Sequence, residues 1–475
     1  MTIEESVTLG ATLTGDAARL RAGDTTSVEL VTASLAKIHA TNSQLGAFVS
    51  MCDDTALEAA AAADADFAAG IDRGPLQGLP LAVKDIISTR EAPTTANSRI
   101  LPPGWGGGVD APVVARLRAA GGVVVGKATT SEFAIGQPDP DTGFPVPRNP
   151  WNLEHSPAGS SSGTGIAVAA GLVAGGLGTD TGGSVRGPAS MNGHTGLKVT
   201  FGRVPKSGVV PLGYSLDSIG PMARSALDCA ALLAVMAGYD ASDPDAADVA
   251  VPDYVGALDG EIAGLRIGMP LPYFYDDPAL DPEVADGVGA ALDVLGGLGA
   301  VIAETTALDD AKQAKEANTI TLVGEAFAYH HLDLQTRWGL YGRHTRVVLA
   351  RGALYTAADF AQAQRFRRVF RRKVAAVLGE FDVLVTPTSA TPAPRSDEMS
   401  PEKMLLGPSF TGPWNLTGLP AVAVPCGFSS TGLPLSMQII GRPFAEATVL
   451  KVADAYQRHT DWHLRVPPIG AVAAA

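Results

Sequence analysis

Apolar residues recur at helical spacing early in the chain. Val28, Val31, Leu35 and Ile38 share one face of a helix predicted over Thr26 to Thr41. Thr26 and Glu29 stand three apart, the spacing of a capping box, and mark its start. Residues 55–69 continue as an alanine-rich helix. The pattern then changes. LPLAVKDII (79–87) is a nearly continuous apolar run and predicts a buried strand with a lysine in its middle. Val113 to Ala120 predicts a helix, and Gly122 to Gly126 a short valine-rich strand. Gly165 to Leu172 predicts a small-residue helix after a serine-rich turn, and Asp228 to Gly238 another helix. Further strands are predicted at LRIGMP (265–270), DVLVTPT (382–388), PAVAVPC (420–426) and LPLSMQII (433–440).

Residues 239–262 are rich in Asp, Pro and Ala and predict a surface connection. Strands recur on both sides of it, so one large α/β domain is expected in preference to two. The layout is a helical region over residues 1–70, joined to a core over 71–465, and a loose tail over 466–475 that ends in GAVAAA.

Composition narrows the class. The chain has 475 residues, of which 46% are hydrophobic and 18% charged, a globular balance. The formal net charge of −14 disfavours a nucleic-acid face. The three cysteines, Cys52, Cys229 and Cys426, are far apart and include no CxxC. A disulfide framework or structural zinc site is therefore not expected, and a reducing, cytoplasmic setting is. MTIEESVTLG has neither the basic start nor the apolar core of a signal peptide, and the run Gly165 to Gly178 is too short for a bilayer span. There is no HExxH and no Cys/His cluster, so no metal or other cofactor is expected.

Two motif matches fail on context. Gly121 to Ala128 nearly matches a phosphate-binding loop, but Ala128 replaces the hydroxyl residue and three valines favour a strand. Gly159–Ser160–Ser161–Ser162–Gly163 matches G-x-S-x-G, but RNPWNLEHSPA before it is no hydrophobic strand. Of the later histidines that motif would need, none has a distinctive setting. His155 reads as a loop residue.

Three other places stand out together: Lys84 in LPLAVKDI, the run SPAGSSSGTG (156–165) and the run GTDTGGSVRG (178–187). A lysine inside an apolar strand is unusual unless paired. Asp85 points to the opposite face of a regular strand and is a poor partner. A buried lysine loses its proton more easily and can serve as a base. The glycines around Thr181 allow backbone N–H groups to converge, and a serine after such a nest can attack a carbonyl whose oxygen rests there.

These segments resemble the amidase signature family. SPAGSSSGTGIAVAAGLVAGGLGTDTGGSVRGPAS (156–190) is similar to its serine- and glycine-rich signature almost throughout, and LPLAVKDI to its lysine strand. RNPWN, GLKVTFGRVP, LDSIGPMARS, DVLVTPT and LPLSMQIIGRPF match its flanking segments, so the likeness spans roughly residues 20–465. It implies the amidase signature fold: one α/β domain, with a mixed sheet covered by helices on both faces. It also implies a Ser–cis-Ser–Lys triad: Ser184 as nucleophile, Ser160 as proton relay after a cis Gly159–Ser160 bond, and Lys84 as base. The oxyanion hole would be the N–H groups of Thr181, Gly182, Gly183 and Ser184. Ser161, Asp180 and Arg186 would support the loop. Ser162 and Ala158 stand where many members have glycine.

The expected activity is acyl-enzyme hydrolysis of a small carboxamide, with reach to esters, anilides or carbamates, by a monomer or homodimer that needs no partner beyond its substrate. The alternative is the glutaminase subunit of a tRNA-dependent amidotransferase. GQPDPDTGFPVPRNPWN and AADFAQAQRFRRVF depart from that subunit's pattern and put it second. Trp105, Trp338 and Trp414 could line an acyl pocket, but core or surface packing is the expectation for each taken singly. RFRRVFRRK (365–373) reads as a solvated basic helix, with Phe366, Val369 and Phe370 on one face.

Overall fold

The computed structural model describes residues 8–400 and 407–469; GAVAAA lies outside the described residues. Eleven strands form one mixed sheet: β1 (Phe48–Met51), β2 (Pro80–Lys84), β3 (Val123–Ala128), β4 (Gly175–Asp180), β5 (Thr195–Lys198), β6 (Ser218–Ala223), β7 (Arg266–Pro270), β8 (Val301–Thr305), β9 (Val383–Pro387), β10 (Ala421–Phe428) and β11 (Pro434–Gly441). Their order is β1-β3-β2-β4-β6-β5-β10-β11-β9-β7-β8. β2 runs parallel to β3 and β4, β7 runs parallel to β8 and β9, and the strands between β4 and β9 pair antiparallel.

The two-residue period of a strand sets the layers. Leu81 and Val83 of β2 belong to a core shared with helices α1 (Leu13–Ala22), α4 (Pro112–Ala119) and α7 (Ala226–Met236). Ala82 belongs to a second core, with Val31, Ala60 and Ile166 from α2 (Ser27–Leu45), α3 (Asp53–Ala68) and α5 (Ser162–Ala169). Helices therefore cover both faces of the sheet, as the expected fold class requires. No helix among the described residues is long and apolar enough to cross a membrane.

Local chemistry explains several element ends. Thr26 caps α2, and a capping box with Glu29 closes its first turn. Gly46, with φ of 61°, ends the same helix four residues beyond the expected boundary. The four-residue β1 then separates α2 from α3, in a stretch where the sequence pattern predicts no element. From Val123 to Ala128 the near-P-loop motif is strand β3, and all of that strand is buried. The three cysteines are free and buried. Residues 239–262 contain no helix or strand, and Tyr254, Leu258 and Ile262 anchor them to the core. Near the end of the described chain, Ile469 packs against the α2–α3–α5 core.

One expectation about aromatic and apolar side chains holds and one needs correction. Trp105, Trp338 and Trp414 pack in the core or at the surface, as expected, and do not line the cavity that Ser184 opens on. Trp414 is fully buried and stacks on Phe274, Trp105 packs on the main core, and Trp338 is 42% exposed under the Arg346 guanidinium. On the basic helix, Phe370 is buried, but Val369 turns away from it and is 59% exposed. Adjacent positions lie about 100° apart on a helix, too far for one narrow face.

Candidate active site

β2 delivers Lys84 as its last residue, with the parity of Ala82, and so on the α5 face. The start of α5 lies just after Ser160, and Lys84 Nζ donates to Ser160 Oγ at 2.7 Å. It also donates to Thr179 Oγ1 at 2.8 Å, on the neighbouring strand β4. Lys84 is fully buried, and burial pushes its amine down from the ordinary 10.5 to about 7, against the pull of Asp217 and Asp180. Asp85 is not its partner. Asp85 sits 3.6 Å from Lys127 instead. The Gly159–Ser160 peptide is cis. Ser161 is fully buried, and its hydroxyl donates to Thr179 O and accepts from Thr179 N, both at 3.2 Å. It ties the start of α5 to β4.

The stretch GLGTDTGGSVRGPAS is not one loop. Its first five residues end strand β4, and α6 (Arg186–Asn192) begins at its eleventh. Only Thr181 to Val185 turn between them. Asp180 organises that turn. Its carboxylate accepts from Gly183 N at 2.7 Å, Val185 N at 3.2 Å and Arg186 N at 3.4 Å. Arg186 closes on it through Nε and Nη2, each at 3.0 Å. Burial works to raise the Asp180 pKa, but the Arg186 guanidinium holds it well below the usual carboxylate range.

The remaining Arg186 donors go to Thr411 O at 3.1 Å, Gln438 Oε1 at 2.9 Å and Asn415 Oδ1 at 2.6 Å. Asn415 Nδ2 in turn donates to Asp180 Oδ1 at 2.8 Å. Thr411 Oγ1 donates to Gly182 O at 2.7 Å. Asp180 and Arg186 thus hold the turn from behind, where neither meets the cavity.

Ser160, Gly182, Gly183 and Ser184 open on one cavity of about 490 Å³. Ser184 is half-buried there, and its carbonyl accepts from Ser161 N at 3.2 Å. The oxyanion set needs a correction. The Gly183 N–H is turned inward onto Asp180, which removes it from the donors available to a substrate oxygen. The N–H groups of Thr181, Gly182 and Ser184 are not taken by that carboxylate. The Thr181 side chain points away from the cavity, with Oγ1 donating to Asp217 at 2.5 Å.

Sequence reasoning missed Thr179, Asp217, Thr411, Asn415 and Gln438. Thr179, Asp217 and Gln438 lie inside segments already singled out, GTDTGG, LDSIGP and LPLSMQII. Nothing local marks Thr411 and Asn415, because their role depends on how distant segments meet.

The family described as Amidase matches residues 29–450. Over 96% of its length the chain is 43% identical to the A subunit of the glutamyl-tRNA(Gln) amidotransferase of Chloroflexus aurantiacus, covering 98% of that protein. Its fold superposes with a TM-score of 0.87 and 33% identity on a chain from a vestigial protein complex tied to the origins of an s-triazine catabolic enzyme, covering 94% of this chain and 98% of that one. It matches the peptide amidase of Stenotrophomonas maltophilia with a TM-score of 0.81 and 31% identity, over 96% and 98% of the two chains. The chain belongs to the amidase signature family, serine hydrolases of C–N bonds.

Proposed function

We propose that the chain hydrolyses a carboxamide through an acyl-enzyme, with Ser184 as nucleophile, Ser160 as relay and Lys84 as base. The observation that carries this reading is the bond from Lys84 Nζ to Ser160 Oγ at 2.7 Å, at the back of a cavity that Ser160 and Ser184 share. Neutral Lys84 takes a proton from Ser160 Oγ, which takes one from Ser184 Oγ as that oxygen attacks the carbonyl. The oxyanion is held by the N–H groups of Thr181, Gly182 and Ser184. As the C–N bond breaks, Ser160 returns a proton to the leaving amine. Water then enters by the same relay and releases the acid. Fluorophosphonate should label the wild-type protein and leave Ser184→Ala unlabelled and inactive. Equal labelling of both proteins would move the nucleophile elsewhere.

Similarity to known proteins reverses the order that sequence alone suggests for the two roles. The 43% identity to an amidotransferase component favours a chain that frees ammonia from glutamine within a complex. A stand-alone amidase is the second reading, and one observation favours it. Among the described residues no Asp or Glu lines the cavity, so none of them offers the α-ammonium of free glutamine an anionic partner. Ammonia release from glutamine and from aliphatic amides separates the two, measured on the chain alone and with the other components of an amidotransferase. Full turnover of simple amides by the chain alone, with no gain from partners, would favour the second reading.

A further inference from the structure

The cavity in front of Ser184 is apolar over much of its wall, and one deeply buried polar side chain in that wall has no partner. Asn318, on the helix Ala311–Thr336, is 4% exposed, and its Oδ1 meets no hydrogen-bond partner. Buried amides are nearly always hydrogen-bonded, because an unpaired one forfeits the bonds it made to water. The group faces the nucleophile turn. A Cβ built on Gly182 would lie 3.4 Å from Asn318 Nδ2 and 3.6 Å from Leu322 Cδ1, one helical turn further on.

The other polar groups nearby are already engaged or less buried. Lys315, one turn earlier, has Glu316 at 3.1 Å. Thr411 Oγ1 is spent on Gly182 O. His344 also has an unpaired Nδ1, but its ring is only half-buried.

We infer that Asn318 is the specificity-determining residue of this cavity and pairs with a second, neutral amide carried by the substrate beyond the scissile one. A primary amide offers both an N–H donor and a carbonyl acceptor, so another carboxamide matches it head to tail. A purely aliphatic acyl chain would leave Asn318 unpaired in the complex. A site built to bond a polar group discriminates strongly against analogues that lack it. This inference deepens the stand-alone amidase reading and rests on it, since glutamine carries no second amide.

The test compares glutaramide with pentanamide, which share a five-carbon chain and differ in the far carboxamide. Wild type should favour glutaramide in kcat/KM by roughly tenfold or more, the size of about one net hydrogen bond. Asn318→Leu, of similar volume, should bring that ratio to about 2, the statistical value for a diamide with two equivalent scissile groups. A ratio unchanged by the substitution, or a wild-type preference for pentanamide, overturns the inference. Melting curves and fluorophosphonate labelling rates show whether the variant keeps its fold and nucleophile, and Asn318→Ser replaces it if it does not. If wild type takes no label and hydrolyses neither amide, the catalytic reading fails separately. Calorimetric binding of the two amides to Ser184→Ala, with and without Asn318→Leu, then decides the role of Asn318, because it needs no turnover.

Discussion

Among the described residues three lysines are fully buried, and their surroundings decide what each can do. Lys127 lies near the carboxylate of Asp85, and Lys198 donates to two carbonyls, Val199 O at 2.8 Å and Leu419 O at 2.7 Å. Lys84 alone of the three meets two hydroxyls, which suit a neutral amine as well as a charged one. Its pKa near 7 places the loss of its proton in the working range. Activity needs the neutral form, so kcat/KM should fall roughly tenfold per unit as pH drops below about 7, and level off above it. A flat profile from pH 5 to 7 would remove Lys84 as the base. Stability carries the same signature. Between about 7 and 10.5 the unfolded chain holds the Lys84 proton and the folded chain does not, so this residue makes stability rise with pH across that window. The melting-temperature gap between wild type and Lys84→Met should shift in favour of wild type from pH 7 to pH 10. Lys84 was legible because a charge inside an apolar run needs a reason. Thr179 was not, because only the parallel pairing of β2 with β4 brings it to the amine.

At the scale of elements, the least legible piece was the strand that carries the nucleophile turn. β4 reads GGLGTD, a composition depleted in strands and without an alternating pattern. Close packing explains it. A Cβ on Gly178 would lie 2.5 Å from Met222 Sδ and 2.8 Å from Ser161 Oγ. Contacts beyond the local sequence therefore fix these glycines in a strand. By contrast, α2 announces itself through its capping box and its 3.6-residue period. The strand-to-helix turn that was sought in vain before Gly159–Gly163 is present, but at Asp180 to Arg186. Gly183 is its tightest point, with φ of 130° and a Cβ position only 2.3 Å from Thr411 Oγ1. Gly183→Ala should displace the turn, cost roughly 1–3 kcal/mol of stability and lower kcat at least about a hundredfold. Urea unfolding and labelling kinetics would check both. Wild-type rates in that variant would mean that the turn tolerates a side chain.

For the whole molecule, one α/β domain with a two-faced mixed sheet followed from the spacing of strands and helices. Strand order did not, because antiparallel neighbours such as β5 and β10 lie far apart in sequence and no local pattern records their register. That order is what brings Gln438 of β11 to Arg186. Gln438 also donates through Nε2 to Thr386 Oγ1 at 3.0 Å and to Phe410 O at 2.9 Å. Gln438→Leu leaves an Arg186 donor and these acceptors unpaired, and should cost about 1–3 kcal/mol. It should also slow fluorophosphonate labelling of Ser184 about tenfold or more, although Gln438 does not touch the cavity. Unchanged labelling would show that the turn stands without its link to β11.

The span of that link has a consequence for how the protein is made. Lys84, Ser160 and Ser184 are synthesised long before the residues that brace their turn, because Asn415 and Gln438 follow Arg186 by 229 and 252 residues. Chains leave the ribosome from the N-terminus. The nascent polypeptide thus carries all three reactive side chains while the brace behind the nucleophile is still untranslated. If the three act as proposed, hydrolysis has to wait until the tenth and eleventh strands have emerged and joined the sheet.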